Sequence, residues 1–175
     1  MPRLLVVATV GICLGVGDAA GDETPKTVKS IVTRDVWAVA EGTHKGKPLI
    51  IRFRNEFNEK PDVSQFPKRI NVSWSYDGEA TGMPSVELSK SMEAFEDRLV
   101  AAVESDVTAV LTAVITNDNR RIWVYYTSSV PTFGKRLNEM PQESKPYPIA
   151  IEAADDPSWR FLYDDVLAGI KDAGP

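Results

Sequence analysis

The stretch from residue 107 to residue 128 reads VTAVLTAVITNDNRRIWVYYTS and predicts two β-strands joined by a tight turn. β-Branched and aromatic residues dominate both halves, whereas the NDN segment between them has the composition of a turn. A two-residue loop at Asp118 and Asn119 keeps the apolar residues of both strands on one side. The opposed pairs are then Ile115 with Ile122, Ala113 with Val124, and Leu111 with Tyr126. We expect this hairpin at the centre of a sheet.

The rest of the chain predicts, in order, a hairpin, a strand, a helix, the central hairpin, a short helix, an edge strand and a last helix. The long helix covers residues 85–104, where apolar residues recur at three- and four-residue steps. Asp156 and Pro157 have the chemistry of an N-cap and a first-turn residue, and Trp159 is expected to pin the last helix to the core. The sequence therefore predicts an α+β domain: a mostly antiparallel sheet of about five or six strands, with helices packed on one face and a ferredoxin-like arrangement.

The N-terminal residues have the pattern of a secretory signal peptide. Arg3 gives a positive start, residues 4–16 are apolar, and small residues at positions 17 and 19 suit cleavage after Ala19. We therefore expect a signal peptide over residues 1–19, a flexible leader over residues 20–34 and a single domain over residues 35–172. The alternative is a retained membrane anchor, for which the apolar run is short. Removal of the signal predicts a periplasmic or extracellular protein with no stable membrane span.

Composition and motif content argue against several function classes. The net charge of −5 and the pI of about 5.0 argue against nucleic-acid binding. Cys13 lies inside the predicted signal and is the only cysteine, so the exported chain has no disulfide and no thiol nucleophile. His44, the only histidine, lies in a predicted turn, and the chain has no nucleophile elbow, phosphate loop or zinc-binding spacing. The sequence therefore predicts no catalytic residue, no metal and no cofactor.

Two functions remain open from the residues alone. One is a non-enzymatic binding domain of the cell envelope, with an unknown envelope ligand or an acidic protein as its partner. The other is a hydrolase that acts on an envelope or extracellular polymer through two carboxylates brought together by folding. The carboxylates on the predicted helices and at their starts include Glu93, Glu96, Asp97, Asp155, Asp156, Asp164 and Asp165. The absence of a nucleophile motif and of a partnered histidine favours binding.

A candidate ligand-binding surface follows from the alternation of side chains along three predicted strands. If the apolar sides of these strands face together, four arginines and two aromatic residues share the opposite side. They are Arg52, Arg54, Arg69, Arg121, Trp123 and Tyr125. Arginine binds carboxylates and phosphates through two parallel N–H groups, and flat rings stack on sugars or on other rings. The competing interpretation is that these arginines pair with the protein's own acidic helices or face water.

Short motifs are spread over most of the chain after the predicted signal. They are Trp37 in an early strand, Pro48 at the start of an apolar strand, Gly82-Met83-Pro84 before the long helix, RIWVYY at residues 121–126 and DPSW at residues 156–159. In this order they resemble the domain of unknown function 695 family, which is uncharacterised and found mainly in bacteria. The resemblance extends from residue 37 to about residue 167, and it supplies no catalytic residues.

Overall fold

The computed structural model describes residues 26–141 and 143–171. The predicted signal peptide, the first part of the predicted leader and the last residue of the predicted domain lie outside the described residues. Within them, six strands form one sheet, and every neighbouring pair is antiparallel. The strands are β1 (Trp37–His44), β2 (Lys47–Arg54), β3 (Lys68–Ser75), β4 (Ala109–Asn117), β5 (Arg120–Thr127) and β6 (Ile149–Asp155). Their order across the sheet is β1-β2-β4-β5-β3-β6.

Helices connect and flank the strands. They are α1 (Val28–Arg34), a 3₁₀ helix (Asn55–Glu59), α2 (Val86–Val103), α3 (Val130–Glu139), a π-helix (Phe161–Leu167) and α4 (Ala168–Lys171). The π-helix continues directly into α4, and the two together are called the C-terminal helix below. Ser85 caps α2 because its side chain accepts a hydrogen bond from the Leu88 N–H.

The four strands β3 to β6 have the topology of a ferredoxin-like domain. Helix α2 connects β3 to β4, and α3 connects β5 to β6. In each case the connected strands run parallel to each other and are separated by one antiparallel strand, which is the split βαβ arrangement. The predicted α+β fold with an antiparallel sheet is therefore confirmed, and the β1–β2 hairpin extends this sheet beyond β4.

Both sides of the sheet carry buried apolar residues. On one side Trp123 and Tyr125 pack against α2 and α3, and we call this side the α2 face. On the other side Val124 and Tyr126 pack against α1 and the C-terminal helix, and we call this side the Trp159 face. The prediction of helices on one face therefore holds for α2 and α3 only. It is incomplete because the two terminal helices cover the apolar residues of the opposite face.

The register of the central hairpin agrees with the prediction near the turn and differs from it farther along the strands. Asp118 and Asn119 form the two-residue loop with φ angles of 44° and 63°, as a type I′ turn requires. Ile115 pairs with Ile122 and Ala113 with Val124, as expected. The predicted pairing of Leu111 with Tyr126 is wrong, because a register shift between Leu111 and Ala113 brings Tyr125 opposite Leu111 instead. The irregularity surrounds Thr112, whose buried hydroxyl donates to the Val124 carbonyl oxygen at 3.0 Å.

The predicted flexible leader contains a helix. Thr27 and Ser30 form a capping box at the start of α1, and Val28 and Ile31 are buried. The leader prediction is therefore wrong for residues 28–34, because two apolar side chains in a mostly polar segment are enough to dock one face of a short helix.

The last helix begins later than predicted. Asp156 Oδ1 accepts a hydrogen bond from the Arg160 N–H at 2.7 Å, and Oδ2 accepts one from the Phe161 N–H at 3.1 Å. The aspartate thus binds backbone N–H groups at the helix start, as predicted, but Pro157 lies in a turn rather than in the first helical turn. The Trp159 backbone has a φ of 55°, and this left-handed residue separates the turn from the helix.

Candidate functional site

The structure places five of the six predicted site residues on the α2 face. In the pairing of β3 with β5, Ile70 lies opposite Tyr125 and Arg69 lies opposite Tyr126. The apolar side of β3 therefore shares a face with Trp123 and Tyr125, and Arg69 lies on the Trp159 face. There its guanidinium carbon lies 4.2 Å from the centre of the Phe161 ring. The expectation that Arg69 joins the other five residues is therefore wrong.

The two predicted aromatic residues lie beneath α2 rather than on an open surface. The Trp123 indole N–H donates to Glu96 Oε2 at 2.7 Å, and its ring packs on Phe95 with centroids 5.0 Å apart. Tyr125 is fully buried and packs against Phe133. Burial raises the pKa of Tyr125 well above its usual value. Neither ring is exposed to a ligand, so both residues serve the core of the α2 face.

Arg54 is also buried, with 2% of its area exposed. It donates to Glu104 Oε2 at 2.8 Å and, through Nε, to the Leu111 carbonyl oxygen at 2.8 Å. It also donates to the Val32 carbonyl oxygen and forms an ion pair with Asp35. These four internal contacts leave the Arg54 guanidinium no role in binding a ligand. Arg54 instead pairs with the protein's own acidic residue at the end of α2, as the competing interpretation expects.

Glu104 is held by the same buried network. Its Oε1 accepts a hydrogen bond from the Leu111 N–H at 2.6 Å, while Oε2 binds Arg54. Burial raises the pKa of Glu104, and the charge of Arg54 opposes that rise. The pair links β2 to the residue that follows α2, and it is a structural feature of this face.

An exposed surface remains where the α2 face of β1 and β2 is not covered by a helix. We call it the hairpin shelf, and it consists of Trp37, Val39, Ile50 and Arg52, with the exposed Glu41 opposite Ile50 on the same face. Val39 is 36% exposed and Ile50 is 37% exposed. The Arg52 guanidinium lies 4.6 Å from the centre of the Trp37 ring and forms an ion pair with Glu96. The shelf thus combines aliphatic side chains with an arginine stacked on a tryptophan. Because Arg52 is paired with Glu96 of α2, the interpretation that these arginines pair with the protein's own helices applies to Arg52 as well as to Arg54.

Arg121 lies beside the shelf in the same row of side chains as Ile50. Ile50 pairs with Thr116, and Thr116 pairs with Arg121. Arg121 Nε donates to Thr116 Oγ1 at 3.0 Å, and no carboxylate of the described residues forms a salt bridge with this guanidinium. Burial lowers the pKa of Arg121, and the nearby Glu96 opposes that effect. Its terminal N–H groups are therefore the donors on this face that an external carboxylate can use.

A separate groove of about 420 Å³ lies between the C-terminal halves of α2 and α3. Its lining contains two arginines, Arg98 and Arg136. Arg98 binds Glu143 and the Tyr147 hydroxyl, while Arg136 binds Asp106 and the Ala102 carbonyl oxygen. Since both guanidinium groups are engaged by carboxylates of the protein itself, this groove ranks below Arg121 as an anion site.

Glu104 and Asp156 are the buried carboxylates of the described residues. Glu104 binds Arg54 on the α2 face. Asp156 binds the Tyr126 hydroxyl at 2.7 Å on the Trp159 face, so the two carboxylates face opposite sides of the sheet. Among the described residues, no group of three or more His, Cys, Asp or Glu side chains is arranged to hold a metal ion. His44 is the last residue of β1, directly before the Lys45–Gly46 turn.

A family model described as "Family of unknown function (DUF695)" matches residues 35–167. The chain belongs to the DUF695 family. The resemblance predicted from the short motifs is therefore confirmed. The matched part of this DUF695 protein begins just before β1 and ends at the last residue of the π-helix, so it contains the hairpin shelf and Arg121. Comparison with curated proteins and with solved structures found no match.

No helix within residues 26–141 and 143–171 of the DUF695 protein combines the length and the apolar character that crossing a bilayer requires. This finding concerns the folded domain and its flanking helices.

Sequence reasoning missed three members of the candidate site. Alternation along β2 puts Ile50 on the side of Arg52, so its presence there was foreseeable. Trp37 and Val39 were not foreseeable, because their face depends on the register of the β1–β2 hairpin. That register is set by a two-residue turn at Lys45 and Gly46, whose positive φ angles identify the turn only once the structure is known.

Proposed function

We propose that this DUF695 protein is an exported, non-enzymatic binding domain of the cell envelope, and that the hairpin shelf with Arg121 binds an acidic segment of a partner protein. The observation that carries the proposal is the half-buried Arg121 guanidinium, which lies beside exposed aliphatic residues and has no salt bridge to a described carboxylate. A partner carboxylate that reaches it gains two charge-assisted hydrogen bonds in a partly desolvated position.

The composition of the shelf also supports a protein partner. Arginine and tryptophan are enriched where binding energy concentrates in protein interfaces. Three of the five large apolar residues that are exposed in the described part of the chain lie on or next to the β1–β2 hairpin. They are Val36, Val39 and Ile50. Val39 and Ile50 lie on the same face as Arg52, whereas alternation places Val36 on the opposite face. Exposed apolar residues beside an arginine indicate an interaction surface.

Export gives the first prediction. We expect the mature chain to begin at Ala20, give or take two residues, because the apolar run ends before small residues that suit a signal peptidase. N-terminal sequencing of the protein recovered from fractionated cells of its source organism measures this directly. Recovery of a chain with Met1 intact in the cytoplasmic fraction would contradict export.

The binding site gives the second prediction. Arg121→Gln is expected to weaken binding of an acidic polymer about tenfold, since it removes a charge-assisted hydrogen bond worth about 1–2 kcal/mol in a partly desolvated surface. The probe is fluorescein-labelled poly-L-glutamate, and fluorescence anisotropy measures its affinity for the purified protein. Binding to the wild type should weaken as salt is added, because exposed charges are screened.

Arg69→Gln is the matched control for this experiment. It removes the same charge from the opposite face of the sheet, so it should leave binding to poly-L-glutamate unchanged. If Arg69→Gln and Arg121→Gln weaken binding equally, the polymer senses net charge alone and the shelf is not the site. If the folded Arg121→Gln variant binds like the wild type, the proposal is overturned.

A further inference from the structure

The edge strand β6 is unusually open for an edge of this length. Six of its seven residues are exposed, and no described segment pairs with its outer side. Five of the seven are isoleucine or alanine, while Glu152 and Asp155 are the charged ones. Ile151 is 46% exposed. An open strand with mostly apolar side chains is a template for pairing with another strand.

Most of the usual protections of an edge are absent from β6 itself, where Glu152 and Asp155 are the only charged residues. Native edge strands are blunted by lysine, by proline within the strand, by a bulge or by a covering segment. Residues 149–155 contain neither lysine nor proline, and their pairing with β3 runs from Ile149 to Asp155 without a register shift. The strand is therefore straight enough to accept a second strand along its outer side.

The outward main-chain groups can be assigned from the ladder. The Asp156 N–H donates to the Pro67 carbonyl oxygen at 2.9 Å, which fixes the alternation of this antiparallel pair. Ala154, Glu152 and Ala150 then bond to β3, so Ile151, Ala153 and Asp155 direct their N–H and C=O groups outward. These groups form a row of donors and acceptors with the spacing of a β-ladder.

We propose that β6 pairs with β6 of a second copy of this chain, antiparallel and about a two-fold axis through Ile151. The two sheets then form one continuous sheet across the dimer. In this register Ile151 lies opposite the same residue of the second copy, Ile149 lies opposite Ala153, and Ala150 lies opposite Glu152. The exposed Ile151 side chains cover each other, and no two like charges are directly opposed.

The neighbouring registers are less favourable. An axis through Glu152 places two carboxylates directly opposite each other, which destabilises a strand pair. An axis through Ala153 places Ile151 opposite Asp155 and leaves its apolar surface without a matching one. An axis through Ala150 pairs Ile149 with Ile151, but only residues 149–151 of each strand then overlap, and the Ile149 N–H already donates to the Tyr147 carbonyl oxygen. The sequence of β6 therefore favours the register centred on Ile151, and this self-complementarity favours a second copy over an unrelated extended peptide.

Cysteine cross-linking tests the register. The full chain is prepared with Cys13→Ser, so that an introduced cysteine is the only thiol. Ile151→Cys is expected to give a covalent dimer on mild oxidation, because directly opposed Cα atoms in a hydrogen-bonded pair lie about 5.5 Å apart, within disulfide range. Glu152→Cys is the matched control. It should run as a monomer in non-reducing gel electrophoresis, because the Cα atoms of residue 152 in the two copies are more than about 7 Å apart in this register. Cross-linking of Glu152→Cys in preference to Ile151→Cys overturns the register.

Sedimentation of the unmodified chain over a concentration series tests the dimer itself. We expect a reversible dimer, and we expect Ile151→Lys to raise its dissociation constant at least about tenfold, since two like charges meet at the axis. Val39→Lys makes the same change on the opposite edge strand and should have no effect. A monomer at every concentration overturns the proposal, even if β6 then binds an extended peptide. Arg121→Gln should leave the dimer intact, which separates this proposal from that of the hairpin shelf.

Discussion

Trp159→Ala is expected to lower the free energy of unfolding by about 3–5 kcal/mol, the range for removing a fully buried large aromatic side chain. The Trp159 ring has no exposed area and stacks on Tyr126 with centroids 4.1 Å apart. Phe57 and Phe66 contact it edge-on, and its indole N–H donates to the Phe66 carbonyl oxygen at 2.9 Å. The substitution therefore leaves a cavity at the point where β5, the loop before β3 and the C-terminal helix meet.

Urea denaturation followed by circular dichroism measures this loss. Arg160→Ala is the matched control, because the neighbouring Arg160 side chain is 80% exposed and its ion pair with Asp164 lies on the surface. The control should change the free energy of unfolding by less than about 0.5 kcal/mol. An unchanged stability of Trp159→Ala together with lost binding of poly-L-glutamate would mean that this tryptophan belongs to a binding site instead.

The sequence predicted the elements of the fold well, because their signals are local. Alternation, turn residues and the three- and four-residue spacing identify the central hairpin, α2 and β6 without knowledge of the rest. Which face of the sheet each strand's apolar side joins was harder to predict, since β5 is buried on both sides. Trp123 and Tyr125 pack under α2, while Val124 and Tyr126 pack under the C-terminal helix. A strand that is apolar on both sides cannot indicate which side its neighbour shares.

The candidate site inherited this ambiguity. In the structure the apolar side of β3 faces α2, opposite to the prediction, so Arg69 lies on the other face from the remaining arginines. Trp123 and Tyr125 lie beneath the helices of the α2 face and are buried. Arg54 and Glu104 are 50 positions apart in the chain, so no local sequence pattern predicts that they pair. Arg52, on β2, and Arg121, at the start of β5, are the partly exposed residues of the predicted surface on the α2 face, and Arg52 is also paired with Glu96 of α2.

Arg54→Met is expected to lower the free energy of unfolding by about 3–5 kcal/mol near pH 8, as is typical when one member of a buried ion pair is removed. Methionine retains the apolar stem, but Glu104 then keeps a buried charge without its cation, and the Leu111 and Val32 carbonyl oxygens lose a donor. Arg52→Met on the same face of β2 is the matched control. Because the Arg52 side chain is 37% exposed, its loss should cost only about 1 kcal/mol.

The cost of Arg54→Met should also depend on pH in a definite direction. Burial already raises the pKa of Glu104 above 4.5, and removing the opposing charge of Arg54 raises it further. A carboxyl group whose pKa is raised by folding contributes stability that is fully present below its unfolded value and is lost as pH rises through the folded value. The variant should therefore recover part of its lost stability as pH falls from 8 toward 5, measured as urea midpoints.

A second substitution identifies the origin of that loss. Arg54→Met combined with Glu104→Gln removes both buried charges, while the glutamine oxygen still accepts from the Leu111 N–H. The double variant should regain most of the stability near pH 8 and come within about 1–2 kcal/mol of the wild type, because the uncompensated carboxylate causes the larger part of the loss. It should also lose the pH dependence of the single variant. If the double variant is as unstable as Arg54→Met at every pH, the hydrogen bonds from Arg54 to the Leu111 and Val32 carbonyl oxygens stabilise this face, and the charge of Glu104 does not matter.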